Sequence, residues 1–187
     1  VKNLNEFVSK VRQNPGAYTY GSSGIGSTHH LTMEAMKADL KLDIRHVPFR
    51  GSGQSVPALI GGQVDFLFSA LPSMAGFVKN NQVVLVGSND SKRSPQAPDV
   101  ASIAEVIPGF DFSVTIGVLA RAGTSSDAIK RLADEIAVVV KQPDVVEKFQ
   151  NAGIEGIGAN PDAYRREIER ENQAMAKAGK QAELKAE

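Results

Sequence analysis

The apolar positions fall into short runs whose period changes along the chain. Leu4, Phe7, Val8 and Val11 stand at i, i+3, i+4 and i+7, which predicts an amphipathic helix over residues 4–12, ended by Asn14-Pro15-Gly16. Residues 17–20 (Ala-Tyr-Thr-Tyr) are short, aromatic and β-prone and predict a strand. A Gly- and Ser-rich stretch, 21–28, leads into a helical segment carrying Leu31, Met33 and Met36. The pattern then repeats: a strand over 43–49, a polar turn at 50–53, a helix over 54–60, a strand over 64–68, a helix over 71–78 and an apolar strand over 83–86. Strands alternating with helices through short loops predict a parallel sheet covered by helices.

Further on, Pro95, Pro98 and Pro108 make residues 92–108 loop-like, and 112–120 reads as a long strand. Ser125 or Ser126 caps a helix with Ile129, Leu132, Ile136 and Val139 on one side. A short helix follows near 145–149. A long polar one over 162–180 has few large apolar side chains after Ile168, which places it on a surface. Residues 1–108 therefore read as one α/β lobe, and 109–187 as a crossover strand with C-terminal helices.

Composition narrows the function. The 187 residues carry 21 Lys+Arg against 21 Asp+Glu, a net charge of zero, so the positive excess that nucleic-acid binding uses is absent. At 42% hydrophobic the chain is no disordered tail, and it has no apolar run of about 18 residues. With no Cys, disulfides, thiolate nucleophiles and Cys-type zinc sites are excluded, while both periplasm and cytosol remain open. The first residue is Val1 and no basic-then-apolar leader follows, so the expectation is a fragment whose leader or earlier region has been removed.

The glycine-rich turn is the main candidate for chemistry. A helix N-terminus after a strand presents free N–H groups and about half a positive charge, enough to seat a carboxylate or phosphate without Lys. Ser22, Ser23, Ser27 and Thr28 add hydroxyls, and Gly24 and Gly26 allow close backbone approach. The bland alternative is a tight turn capped by Ser. A nucleotide loop is disfavoured, because Ser27 stands where G-x-x-x-x-G-K-[ST] needs Lys. A serine hydrolase would use Ser23 and His29 with an acid behind the imidazole, yet G-x-S-x-G is missing. His30 and Glu34 share a helix face, but H-E-x-x-H is absent, so no metal or cofactor is expected; His30 reads as core or backbone-bonded and His29 as solvent-facing. Arg50, at a strand end, is either an anion clamp or a solvated rim charge. Asp65 reads as a structural hydrogen-bond acceptor.

In order, the chain shows Pro15-Gly16, Tyr20-Gly21-Ser22-Ser23-Gly24-Ile25-Gly26-Ser27-Thr28-His29-His30-Leu31, His46-Val47-Pro48-Phe49-Arg50-Gly51, Gly61-Gly62-Gln63-Val64-Asp65, Lys92-Arg93-Ser94-Pro95-Gln96-Ala97-Pro98-Asp99-Val100, Gly117-Val118-Leu119-Ala120 and Ala122-Gly123-Thr124. This series resembles the periplasmic solute receptors of tripartite tricarboxylate transporters, the TctC/Bug family, over essentially all 187 residues. The resemblance implies a two-domain clamshell of the type II periplasmic-binding-protein class, of which this chain supplies an α/β lobe with a mainly parallel sheet. It implies capture of a small organic anion, a mono- or dicarboxylate, for delivery to a membrane permease, with no catalysis. The family's first lobe begins with a strand and a Pro-Gly-Gly-rich loop that this chain lacks, so the first lobe is expected to be largely missing.

Under that resemblance the ligand contacts are Ser22, Ser23, Gly24, Gly26, Ser27, Thr28, Arg50 and Thr115, the last standing where the family often has an aromatic. A lone lobe would bind weakly or not at all. Two other classes stay open: the serine hydrolase, and a structural fragment that exposes an apolar strip along 112–119 and forms a homodimer through it.

Overall fold

The structure, a computed structural model, describes residues 1–95 and 97–182; Gln96 of the motif series lies outside them. The elements run α1 (Leu4–Gln13), β1 (Thr19–Ser22), α2 (Thr28–Leu40), β2 (Arg45–Pro48), α3 (Ser52–Ile60), β3 (Phe66–Leu67), α4 (Leu71–Lys79), a 3-10 turn (Ile103–Glu105), α5 (Ser126–Val139), α6 (Pro143–Ala152) and α7 (Pro161–Gln181). They divide into two compact units, one of residues 1–113 with the chain from Ala174, the other Val114–Gln173.

In the first unit three parallel strands form a sheet in the order β2-β1-β3. Asn3 caps α1 by accepting the Glu6 N–H, and all four periodic apolar residues, Leu4, Phe7, Val8 and Val11, are buried. Phe7 meets Phe66 of β3 edge-on, ring centroids 4.7 Å apart. Asp65 pins β3 to β1 by accepting both the amide and hydroxyl of Thr19 at 2.8 Å, the structural role expected of it.

Two expected strands do not form among the described residues. In 83–86, Val86 packs on the core while Val84 is exposed, and the only backbone bridge there joins Ser88 to Ser102. Apolar content signals burial, but a strand also needs a neighbouring edge to bond. In 112–120, the Phe112 N–H bonds Asn89 O, and nothing beyond it enters a ladder. The alternation is real nonetheless. In the second unit Thr115 and Gly117 lie against α7, through Glu171 and Tyr164, while Val114, Ile116 and Val118 are exposed.

The last helix also departs from expectation. Its C-terminal part is not a free surface: Ala178 is fully buried in the first unit's core, and Gly179 lies beside Leu31. Small residues pack closely where a count of large apolar side chains finds nothing.

Candidate functional site

Because the strands are parallel, their C-terminal ends share one rim, and α2, α3 and α4 all begin there. The chain leaves central β1 for β2 on one side and returns to β3 on the other. That reversal is where open α/β sheets place ligands. Backbone bonds extend the ladder into the loops: Phe49 N–H donates to Ser22 O, Gly51 N–H to Ser23 O and Phe68 N–H to Gly21 O.

The loop after β1 is shaped from within. Ser27 caps α2, accepting the His30 N–H at 3.2 Å and donating its hydroxyl proton to Gly24 O at 2.7 Å. Gly24, at φ +126°, lets Phe49 O approach to where a Cβ would meet it at 3.2 Å. Gly26, at φ +75°, opens onto space with nothing within 4 Å of a Cβ position. The amides of Thr28 and His29, the first two of α2, find no acceptor among the described residues.

Behind the loop lies a cluster of polar and aromatic side chains. Ser22, fully buried, places Oγ 2.7 Å from His46 Nε2 and accepts the Gly24 N–H. Ser23 Oγ sits 2.6 Å from His29 Nδ1. Gly26 N–H donates to His30 Nδ1 at 3.1 Å, so neutral His30 carries its proton on Nε2, 3.9 Å from Glu34 Oε1. Tyr20 and Lys37 both donate to that Glu34 oxygen, at 2.5 and 2.6 Å.

Burial lowers the pKa of His29. Burial also lowers His30, against the pull of Glu34 and with the help of Lys37. His46 is pushed down to about 4 by burial and then by His30. Burial and the Glu34 hydrogen bond raise the Tyr20 phenol. For Glu34 itself burial works upward, but the Lys37 and Tyr20 hydrogen bonds together outweigh it and the carboxyl ends below its usual value.

Of the expected ligand contacts, Ser22, Ser23, Gly24, Gly26, Ser27 and Thr28 share this loop, with Arg50 on the adjoining one. Ser22 and Ser27 use their hydroxyls to brace the loop, whereas Thr28 and Arg50 are exposed. Thr115 belongs to the second unit, where Glu171 Oε1 accepts both its amide and hydroxyl, at 2.7 and 2.6 Å. His29 is half-buried on Ser23 rather than solvent-facing, because its ring lies over the loop it follows. The bracing roles of His46, Glu34 and Lys37 are not legible in the sequence; the only signal is the density of polar residues in flanking apolar elements. No group of three or more His, Cys, Asp or Glu side chains among the described residues can hold a metal ion. The Ser23–His29 contact meets half of the hydrolase requirement, but no carboxylate bonds that imidazole among the described residues; Glu34 is held by Tyr20 and Lys37.

A parallel sheet with helix N-termini gathered around a glycine loop is the core of a periplasmic-binding-protein-like lobe. The sequence profile described as "Tripartite tricarboxylate transporter family receptor" matches residues 1–182, and the chain belongs to that TctC family. The family is one of solute-binding receptors, not enzymes, which sets the serine hydrolase aside. A curated relative from Pseudomonas sp. (strain P51), the UPF0065 protein in the tcbD-tcbE intergenic region, is 33% identical over 175 residues, 90% of this chain and 52% of its own length. The solved structure described as R. palustris Rpa4515 with adipate superposes with a TM-score of 0.87 at 26% identity, covering 98% of this chain and 62% of that one. Another, described as a periplasmic transporter, gives 0.82 at 31% identity over 97% and 61%. The chain thus spans about half the length of most of the curated relatives it matches. Among the described residues no helix is long and apolar enough to cross a membrane.

Proposed function

We propose that residues 1–113 form the second lobe of a two-lobe periplasmic receptor that captures a small organic carboxylate for the permease of a tripartite tricarboxylate-type transporter. One ligand carboxylate accepts the Thr28 and His29 N–H groups at the start of α2, with the Thr28 hydroxyl as a further donor. Arg50 adds attraction from the neighbouring loop. Ser22, Ser23, Gly24, Gly26 and Ser27 shape the seat. The observation that carries this reading is the pair of unpaired amides beside the open face of Gly26, at the sheet's reversal point. The adipate that accompanies Rpa4515 in its solved structure supports a dicarboxylate as the first probe. Closure over the ligand stabilises whichever arrangement binds it more tightly.

The test exploits the cap geometry. Ser27 has φ −64° and ψ 157°, the backbone that a following proline requires, and Thr28 is the first helical residue, where proline is tolerated. Thr28→Pro therefore removes one amide and one hydroxyl donor while keeping α2. Adipate titrated into the chain should shift the Thr28 and His29 amide resonances, and Thr28→Pro should weaken binding about tenfold or more. Thr28→Pro binding adipate as the unmodified chain does, or adipate shifts that spare the Thr28 and His29 amides, overturns the reading.

A second reading, self-association through the second unit, is favoured by the exposure of Val114 (49%), Ile116 (86%), Val118 (72%) and Leu119 (78%).

A further inference from the structure

The loop after β1 is held at both ends by imidazoles from different elements: Ser22 by His46 of β2 and Gly26 by His30 of α2. The two rings stack with centroids 3.9 Å and planes 12° apart, and Tyr20 extends the stack on His46 at 4.8 Å. The two ends differ in chemistry. A serine hydroxyl both donates and accepts, so the Ser22–His46 contact survives either protonation state of the imidazole. An amide N–H only donates, so Gly26 needs the Nδ1 lone pair of His30.

We propose that His30 is the positioning residue of the anion loop: its neutral ring, steadied by the stacked His46, fixes the Gly26 amide through Nδ1, and protonation at Nδ1 releases that end of the loop. The titratable and charged groups acting on His30 are His46 from β2, Tyr20 from β1, and Glu34 and Lys37 from its own helix. Glu34 favours the protonated ring, but its charge is already engaged by Lys37 and Tyr20. Two stacked rings cannot both be charged without repulsion, and burial lowers the pKa of both. If the receptor reading holds, carboxylate affinity falls on acidification. That is opposite in sign to what a new cation beside an anion seat gives by charge alone.

The amide readout needs no ligand. In nitrogen–proton correlation spectra between about pH 7.5 and pH 4, the Gly26 amide should be shifted downfield at neutral pH and lose that shift with the midpoint of the His30 ring. The ring nitrogens at neutral pH should report the Nε2–H form. In His30→Asn the side-chain oxygen takes the place of Nδ1, so the Gly26 shift should persist and stop responding to acid. In His30→Leu it should be lost at every pH. A Gly26 amide that ignores the His30 titration, an Nδ1–H ring at neutral pH, or a Gly26 response retained in His30→Asn overturns the proposal. Adipate titrations run alongside separate the two claims: a Gly26 amide that follows His30 in a chain whose adipate binding is unchanged by Thr28→Pro upholds the positioning role and removes the receptor reading.

Discussion

The phenol ring of Tyr164 fills the space that a side chain at Gly117 would need, closer to a Cβ position than van der Waals contact allows. The extended segment from Val114 therefore lies directly against α7 only because residue 117 has no side chain. Gly117→Ala should cost about 1–3 kcal/mol, as overpacking does. Tyr164→Ala made on top of it should cost less than the two changes added separately, because the clash is then gone. Thermal unfolding of the two single variants and the double variant checks this; strict additivity contradicts it.

Ser27→Ala removes the cap of α2 and the hydroxyl bond to Gly24 O together. The expected loss is about 1 kcal/mol, with Ser27→Thr, whose hydroxyl can both accept the His30 N–H and donate to Gly24 O, restoring most of it. Equal denaturation midpoints for Ser27→Ala and the unmodified chain would show that the cap contributes nothing.

Stability should depend on pH through His46, held at about 4 when folded against an ordinary value of 6.5. Between those values the unfolded chain binds more protons than the folded one. The His46 contribution is thus complete above about pH 6.5, declines as pH falls and levels off below about pH 4. The ring keeps some solvent contact, so the loss is about 1–2 kcal/mol rather than the full shift. Urea midpoints across this range should fall with acid, and His46→Gln should make the fall shallower, leaving the part that His29 and His30 contribute.

Ile116 carries the most exposed large apolar side chain of the second unit. Ile116→Asp should change stability by less than about 0.5 kcal/mol. If the strip of Val114, Ile116, Val118 and Leu119 mediates self-association, the same change should abolish any concentration dependence of mass in sedimentation. An unmodified chain that stays monomeric at all concentrations removes that reading.

The helices are legible because their signals are local. The spacing of Leu4, Phe7, Val8 and Val11 locates α1 to within a residue, and of the two serines the sequence offers, Ser125 caps α5. The sheet is less so. Residues 83–86 and 112–120 have strand-like patterns, but whether a strand forms depends on an edge supplied from elsewhere. The anion loop is visible as a composition of Gly and Ser beside a helix start. What braces it is not, since His46 reaches Ser22 across 24 positions and Tyr20 reaches Glu34 across 14, separations that periodicity does not encode.

The proline-rich stretch after Asn89 reads as a slack connection, yet it is fastened at several points. Arg93 grips both Glu105 oxygens, at 2.7 and 2.8 Å, and Pro98 O at 3.0 Å; Glu105 in turn accepts the Ser102 amide. The Arg93 guanidinium first, and the Ser102 amide after it, bring Glu105 down to about 2. This clasp consequently stays buckled in acid strong enough to protonate His46, so souring that reaches the buried imidazole leaves the tether's shape intact.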